Sequence, residues 1–106
     1  MATDKNTVQD TDFMIEGATH AAALLRTLGN ERRLLMLCFL IDRGEMSVSA
    51  LGECVGLSQS ALSQHLAKMR DEGLVSCRRE AQNVYYRVAD PKVHAMITSL
   101  KDIFCP

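Results

Sequence analysis

Apolar residues recur at helical spacing through most of this chain and switch to alternation in one place. From Phe13 to Leu28 the stripe is Ala21, Leu24, Leu25 and Leu28, with Gly29 as a C-terminal stop. Asn30 is placed to cap the next segment, ERRLLMLCFLIDRG, in which Leu34, Leu37, Cys38 and Ile41 stand at i, i+3, i+4 and i+7. Leu35, Met36, Phe39 and Leu40 fill most other positions there, the pattern of a central core helix. Ser47 to Gly56 reads as a short helix capped by Ser47 or Ser49, with Leu51, Cys54 and Val55 inward.

The stretch LSQSALSQHLAKMRDEGL, Leu57 to Leu74, follows after a brief turn. Ser58 is its expected N-cap, with Leu57 and Leu62 spaced as a hydrophobic staple. Gly73 falls where a helix ends on a left-handed residue. Leu62, Leu66 and Met69 define the buried side; Gln59, Ser60, Ser63, Gln64, Ala67 and Lys68 occupy the other. A helix packed through leucines and presenting short amides and hydroxyls suits a DNA groove. Two short helices joined by such a turn form a helix-turn-helix.

After Gly73 the period becomes two. Val75 and Cys77 alternate with Ser76 and Arg78, and Val84, Tyr86 and Val88 alternate with Tyr85 and Arg87. These segments predict a β-hairpin with the polar tip Arg79-Glu80-Ala81-Gln82-Asn83, placed as the wing of a winged helix. Asp90-Pro91 then opens a last helix, aspartate at the N-cap and proline at N1, with the stripe Val93, Met96, Ile97, Leu100 and Phe104. The expected fold is mainly α with a small β-hairpin wing. Residues 1–11, polar and without a period, are expected to be a flexible tail, and residues 12–106 to be one domain.

Composition refines this picture only slightly. A chain of 106 residues with 47% hydrophobic content suits one small domain with a modest core, for which dimerisation buries further apolar area. Net charge is −1. Residues 1–25 carry −3, which leaves +2 for the remainder, too little to argue for nucleic acid by charge alone. No stretch has the length of a membrane span and no secretory signal follows the N-terminus, so a cytoplasmic location without membrane association is expected. Four cysteines, Cys38, Cys54, Cys77 and Cys105, lie scattered without CxxC pairs and are expected as free thiols. No nucleophile–base pair, phosphate loop or carboxylate dyad supports catalysis.

From Ala21 to Cys105 the chain resembles the ArsR family of bacterial winged-helix repressors, most specifically in LGNERRLLMLCFL, in LSQSALSQHLAKMRDEGLV and in YYRV. The resemblance implies a homodimer that pairs through its first and last helices and binds a palindromic operator in double-stranded DNA. On that basis Gln59, Ser60, Ser63 and Gln64 are expected at or near base edges, with Ser58 at the head of the same helix. Lys68, Arg70, Arg78 and Arg79 are the phosphate candidates, and Gln82 belongs to the wing tip. His65 lies between the Leu62 and Met69 directions, where packing competes with DNA contact.

The family's metal-sensing sites imply ligands that this chain lacks. Ser47 and Ser49 stand where an arsenic- or cadmium-type Cys-x-Cys would be, and the last helix has one histidine, His94, and no glutamate. No metal or other cofactor is therefore expected, with a site from His20, His94 and a cysteine as the alternative. The LCFL context of Cys38 and the terminal IFCP around Cys105 are instead similar to the sulfide- and redox-responsive branch of the family, the SqrR, BigR and HlyU group. That likeness implies two sensing thiols that are bridged by reactive sulfur species and weaken operator binding when bridged. A plain disulfide needs Cα atoms within about 7 Å, whereas a chain with extra sulfur reaches further. Burial of Cys38 and the negative end of the helix before Cys105 should raise both thiol pKa values, and no activating cation is legible. Cys54 and Cys77 read as packing residues. Other roles are an anti-repressor or activator that displaces another DNA-binding protein, a metal-responsive repressor, or a thiol enzyme or interaction module built on a winged helix.

Overall fold

The computed structural model describes residues 3–105, with side chains from Asp10 onward. They fall into two units, one up to Asn30 and one from Glu31. The first is a single helix, α1 (Thr3–Leu28). It begins well before Phe13, where the periodicity starts, because nothing between Thr3 and Phe13 is a glycine or proline that would interrupt helical hydrogen bonding. The expected tail over 1–11 falls partly on residues 1 and 2, outside the described residues. Along α1, Phe13, Met14, Ile15 and Leu25 are exposed, Leu24 is half-buried and Leu28 is buried.

The second unit runs α2 (Glu31–Arg43), β1 (Met46–Ser47), α3 (Val48–Val55), α4 (Gln59–Asp71), β2 (Val75–Glu80), β3 (Asn83–Val88) and α5 (Pro91–Phe104). α2 is the central helix. Met36, Leu37 and Leu40 are completely buried, and α3, α5 and β3 pack around it. Its buried face is rotated from the expected stripe, since Leu34, Cys38 and Ile41 are only half-buried. With apolar residues on nearly every side, the periodicity could not fix which face points inward.

α3 and α4 follow the sequence signals closely. Ser47 is the N-cap of α3, its Oγ accepting from the Ala50 N–H at 3.2 Å, which decides between Ser47 and Ser49. Gly56 at φ 67° closes α3 in the left-handed region, a conformation that costs glycine little. Ser58 then caps α4 by accepting from the Ala61 N–H at 3.2 Å. Gly52 lets the two helices approach: a Cβ there would lie 3.2 Å from Leu62 Cδ2. α4 ends in a Schellman motif, with the Leu74 N–H donating to the Met69 carbonyl at 2.9 Å and the Gly73 N–H to the Arg70 carbonyl at 3.0 Å.

The hairpin strands are longer than the alternation implied. Glu80 pairs with Asn83, so the tip is only Ala81-Gln82, with Ala81 at φ 56°. A third strand too short to leave a periodic signal, β1, pairs with β3 through Met46 opposite Tyr86 and Ser47 opposite Tyr85. The sheet order is β1-β3-β2. α5 starts as expected, Asp90 Oδ1 accepting from the Lys92 N–H at 2.8 Å and Pro91 in the first turn. Val93 and Ile97 are buried, whereas Ile103 and Phe104 at the far end are 67% and 74% exposed.

Candidate nucleic-acid interface and thiol pair

α4 buries Leu62, Leu66 and Met69, which fixes the opposite side outward. Gln59, Ser60, Ser63, Gln64 and Lys68 are all exposed on it, as is the cap Ser58. The hairpin stands beside this helix. Gln59, Ser63 and Arg70 of α4 line one open cleft of about 260 Å³ together with Arg79, Gln82 and Tyr86 of the hairpin. Residues more than twenty positions apart are thereby gathered into one polar, basic concavity.

Strand alternation sorts the two hairpin arginines onto opposite faces. Arg79 shares the cleft face with Cys77, and Arg78 points to the other side. There the Arg78 guanidinium donates to both Glu45 oxygens at 3.0 and 2.7 Å and to Glu80, and lies 4.5 Å from the centroid of Tyr85. Its pKa is pushed up, first by the Glu45 hydrogen bond and then by Glu80, and Glu45 is held below the usual carboxylate range by the same bond. Arg78 thus ties the hairpin to the α2–β1 connection and is held by three partners.

Within the cleft, Arg70 Nη1 donates to Cys77 Sγ at 3.2 Å. Tyr86 beneath is buried, and burial first and the neighbouring Cys77 next push its phenol pKa up. His65 is half-buried outside the cleft; burial foremost, then the positive charges of Arg33 and Lys68, lowers its pKa, so the ring is neutral at pH 7.

The two candidate sensing thiols sit at different depths. Cys38 is half-buried on α2, whereas Cys105 is exposed at the end of α5, its N–H donating to the Lys101 carbonyl at 2.7 Å. The Cys38 pKa is raised, chiefly by burial and secondly by the charge of Cys105. One opposing influence was not legible in the sequence: the Lys101 ammonium lowers the Cys38 pKa. Lys101 Nζ lies 3.3 Å from Asp42 Oδ1, and these two residues line a groove of about 270 Å³ with Leu35, Cys38 and Phe39. The helical spacing of Lys101 and Cys105 was the available clue. Cys54 is half-buried, 3.7 Å from Arg43 Nη1. Ser47 and Ser49 lie at the start of α3 and His94 is exposed on α5.

Residues 30–76, which span the helix-turn-helix, match the family model described as bacterial regulatory protein, arsR family. The chain is 46% identical to the HTH-type transcriptional regulator YgaV of Escherichia coli K12, over 84% of its own length and 90% of that protein. It is 48% identical to the transcriptional activator HlyU of Vibrio cholerae, over 87% of this chain and 84% of the relative. The solved structure of reduced HlyU from that organism superposes with a TM-score of 0.82 at 47% identity, covering 88% of this chain and 97% of the other. The transcriptional repressor BigR from Xylella fastidiosa superposes equally well, TM-score 0.82 at 35% identity, covering 91% and 97% of the two chains.

The raised pKa of Cys38 has a kinetic consequence. Only the thiolate alkylates, so at pH 7 Cys38 should react with iodoacetamide more slowly than free cysteine. Its rate should still be climbing at a pH where free cysteine has levelled. The sign for stability follows: a proton held more tightly when folded favours the fold at neutral pH, and that contribution is lost as pH rises through the raised value. Site-resolved alkylation rates between pH 6 and about 10.5 check this; a Cys38 profile that levels below that of free cysteine contradicts it.

Proposed function

Since this chain belongs to the bacterial ArsR family of regulatory proteins and is a DNA-binding transcriptional regulator, not an enzyme, we propose how it reads an operator and what releases it. α4 enters the major groove, and Gln59, Ser60, Ser63 and Gln64 meet base edges, a glutamine amide matching adenine bidentately. Lys68, Arg70 and Arg79 anchor flanking phosphates, with Gln82 at the hairpin tip beside them. Ser58 holds the helix N-terminus in register through its cap. The half-buried, neutral His65 supports α4 from its edge. Arg78, engaged by Glu45, Glu80 and Tyr85, sets the wing rather than gripping DNA. The observation that carries this reading is the cleft in which Gln59, Ser63 and Arg70 face Arg79 and Gln82.

The protein acts as a cytoplasmic homodimer on a palindromic operator, the two-fold axis matching two half-sites. Exposed apolar side chains on α1 and at the end of α5, Phe13, Met14, Ile15, Ile103 and Phe104, supply surface for pairing. It represses, and reactive sulfur species relieve repression through Cys38 and Cys105. The Cys38 thiolate attacks the sulfane sulfur of a persulfide or polysulfide, and the donor leaves as a thiol. A second donor adds one more sulfur to the Cys38 persulfide, again leaving as a thiol. The Cys105 thiolate then attacks the sulfur bonded to Cys38 Sγ and expels hydrosulfide, so that one added sulfur bridges the two residues. The donor supplies the oxidising equivalents, so no further oxidant enters. The influence of the Cys105 charge on Cys38 supports the pairing. Relatives described as an activator and as a repressor match the chain comparably well, so an antagonist that displaces another DNA-binding protein is the second reading.

Operators selected from random duplex DNA provide the test of the reading face. Gln59→Ala combined with Ser63→Ala should lose about 1–3 kcal/mol for each base contact removed and relax sequence preference. Arg79→Ala should weaken all sequences alike and reduce the salt slope by about 1, whereas Arg78→Ala should leave that slope nearly unchanged. Equal slopes for the two arginine variants would contradict the assignment. For the thiols, intact mass and peptide mapping after glutathione persulfide treatment should find Cys38 and Cys105 joined through sulfur and resistant to iodoacetamide. Both remaining free and alkylatable would sink the sensing role while leaving DNA binding untouched.

A further inference from the structure

The groove beside α2 and α5 holds more than a thiol. Its walls are the apolar Leu35 and Phe39, and Cys38 lies on its lining. At its edge sits one ion pair, Lys101 with Asp42, at 3.3 Å. The two partners differ in exposure: the Lys101 side chain is 27% exposed and that of Asp42 63%. Lys101 is the inner member and Asp42 the outer. A carboxylate this exposed contributes a weak pair that competing anions displace readily. The Arg43 guanidinium, 5.4 Å from the centroid of the Phe39 ring, adds a second positive charge beside one apolar wall.

We propose that this groove is a binding site for a small anionic sulfur donor, in which the Lys101 ammonium exchanges its Asp42 partner for the donor's negative group and positions the donor's sulfane sulfur against Cys38. The fitting ligand class is the persulfide of a carboxylate-bearing thiol: one end carries a fixed negative charge, the other a sulfane sulfur open to attack. The Lys101 side chain is the more buried partner of its ion pair, which leaves its charge less screened than that of a fully exposed lysine. Lys101 is a positioning residue here, and Asp42 is a built-in competitor for the same ammonium. The proposal rests on Cys38 being the sulfur-accepting thiol, and its first test, by alkylation, does not depend on persulfide transfer.

That test compares the rates at which Cys38 in the intact protein reacts with iodoacetate, an anion, and with iodoacetamide, its neutral analogue. The ratio cancels any change in thiolate fraction, because both reagents need the same thiolate. In the wild-type protein the ratio should exceed that of free cysteine. Lys101→Gln should lower it by about threefold, the order expected for one unit charge a few ångströms away in water. Lys101→Arg should preserve it. Asp42→Asn, at an exposed position, should raise it, and high salt should compress all these differences. A ratio that is the same in wild type, Lys101→Gln and Asp42→Asn overturns the anion site. Bridging of Cys38 to Cys105 by persulfide, followed in the same variants, separates the two ideas. An altered ratio without any bridging leaves the anion site standing and removes the sensing role. Bridging at an undiminished rate in Lys101→Gln, with an unaltered ratio, does the reverse.

Discussion

α2 must be buried on one side for the second unit to exist, and the rest of that unit's geometry follows from this constraint. Met36, Leu37 and Leu40 have no solvent exposure, and α3, α5 and the hairpin strand β3 all pack on this one helix. Truncating any such side chain to alanine costs about 2–5 kcal/mol, a large share of the about 5–15 kcal/mol that stabilises a domain. α2 therefore cannot rotate to bring its outer face inward. That outer face carries Leu35, Cys38 and Phe39, the same residues that line the groove toward Lys101. One helix thus supports the reading unit on one side and displays a thiol on the other.

The proposed DNA-reading surface is built by two different periodicities meeting. Helical spacing places Gln59, Ser63 and Arg70 along α4, and strand alternation places Cys77 and Arg79 on the adjoining face of the hairpin. The same alternation sends Arg78 to the opposite face, where Glu45, Glu80 and Tyr85 hold it. Two neighbouring arginines of identical chemistry receive separate surroundings purely from register. Salt dependence of binding is therefore expected to come from Arg79 and the α4 cations.

Much of this architecture was legible in the sequence because it is signalled locally. Ser58 and Asp90-Pro91 act within one helical turn, Gly56 and Gly73 act through their own backbone angles, and the hairpin announces itself by alternation. What escaped was non-local or too short. The inward face of α2 depends on what packs against it, since apolar residues occupy nearly all its sides. β1 is two residues long and exists only through its pairing with Tyr85 and Tyr86. The partners of Arg78 and Lys101, Glu45 and Asp42, stand 33 and 59 residues away in sequence. No spacing rule reaches that far. The exposed side of α4 was readable, but the placing of Arg78 and Arg79 on opposite faces required the register.

A thiol switch in this frame has to turn a link at one side of α2 into a change at α4. The proposed link would join α2 to Cys105, the residue that caps the C-terminus of α5, and α3, next to α4 in the helix-turn-helix, packs on the same α2. Effective switches of this kind need a coupling free energy of about 1–3 kcal/mol between the two sites. The most direct measurement is the affinity of reduced and persulfide-treated protein for a selected operator, by fluorescence anisotropy at fixed salt, with Cys105→Ser treated in parallel. Sensing through the pair predicts that treatment weakens wild-type binding by about 5- to 150-fold and leaves Cys105→Ser unchanged. Equal affinities for the reduced and bridged wild-type protein would contradict it.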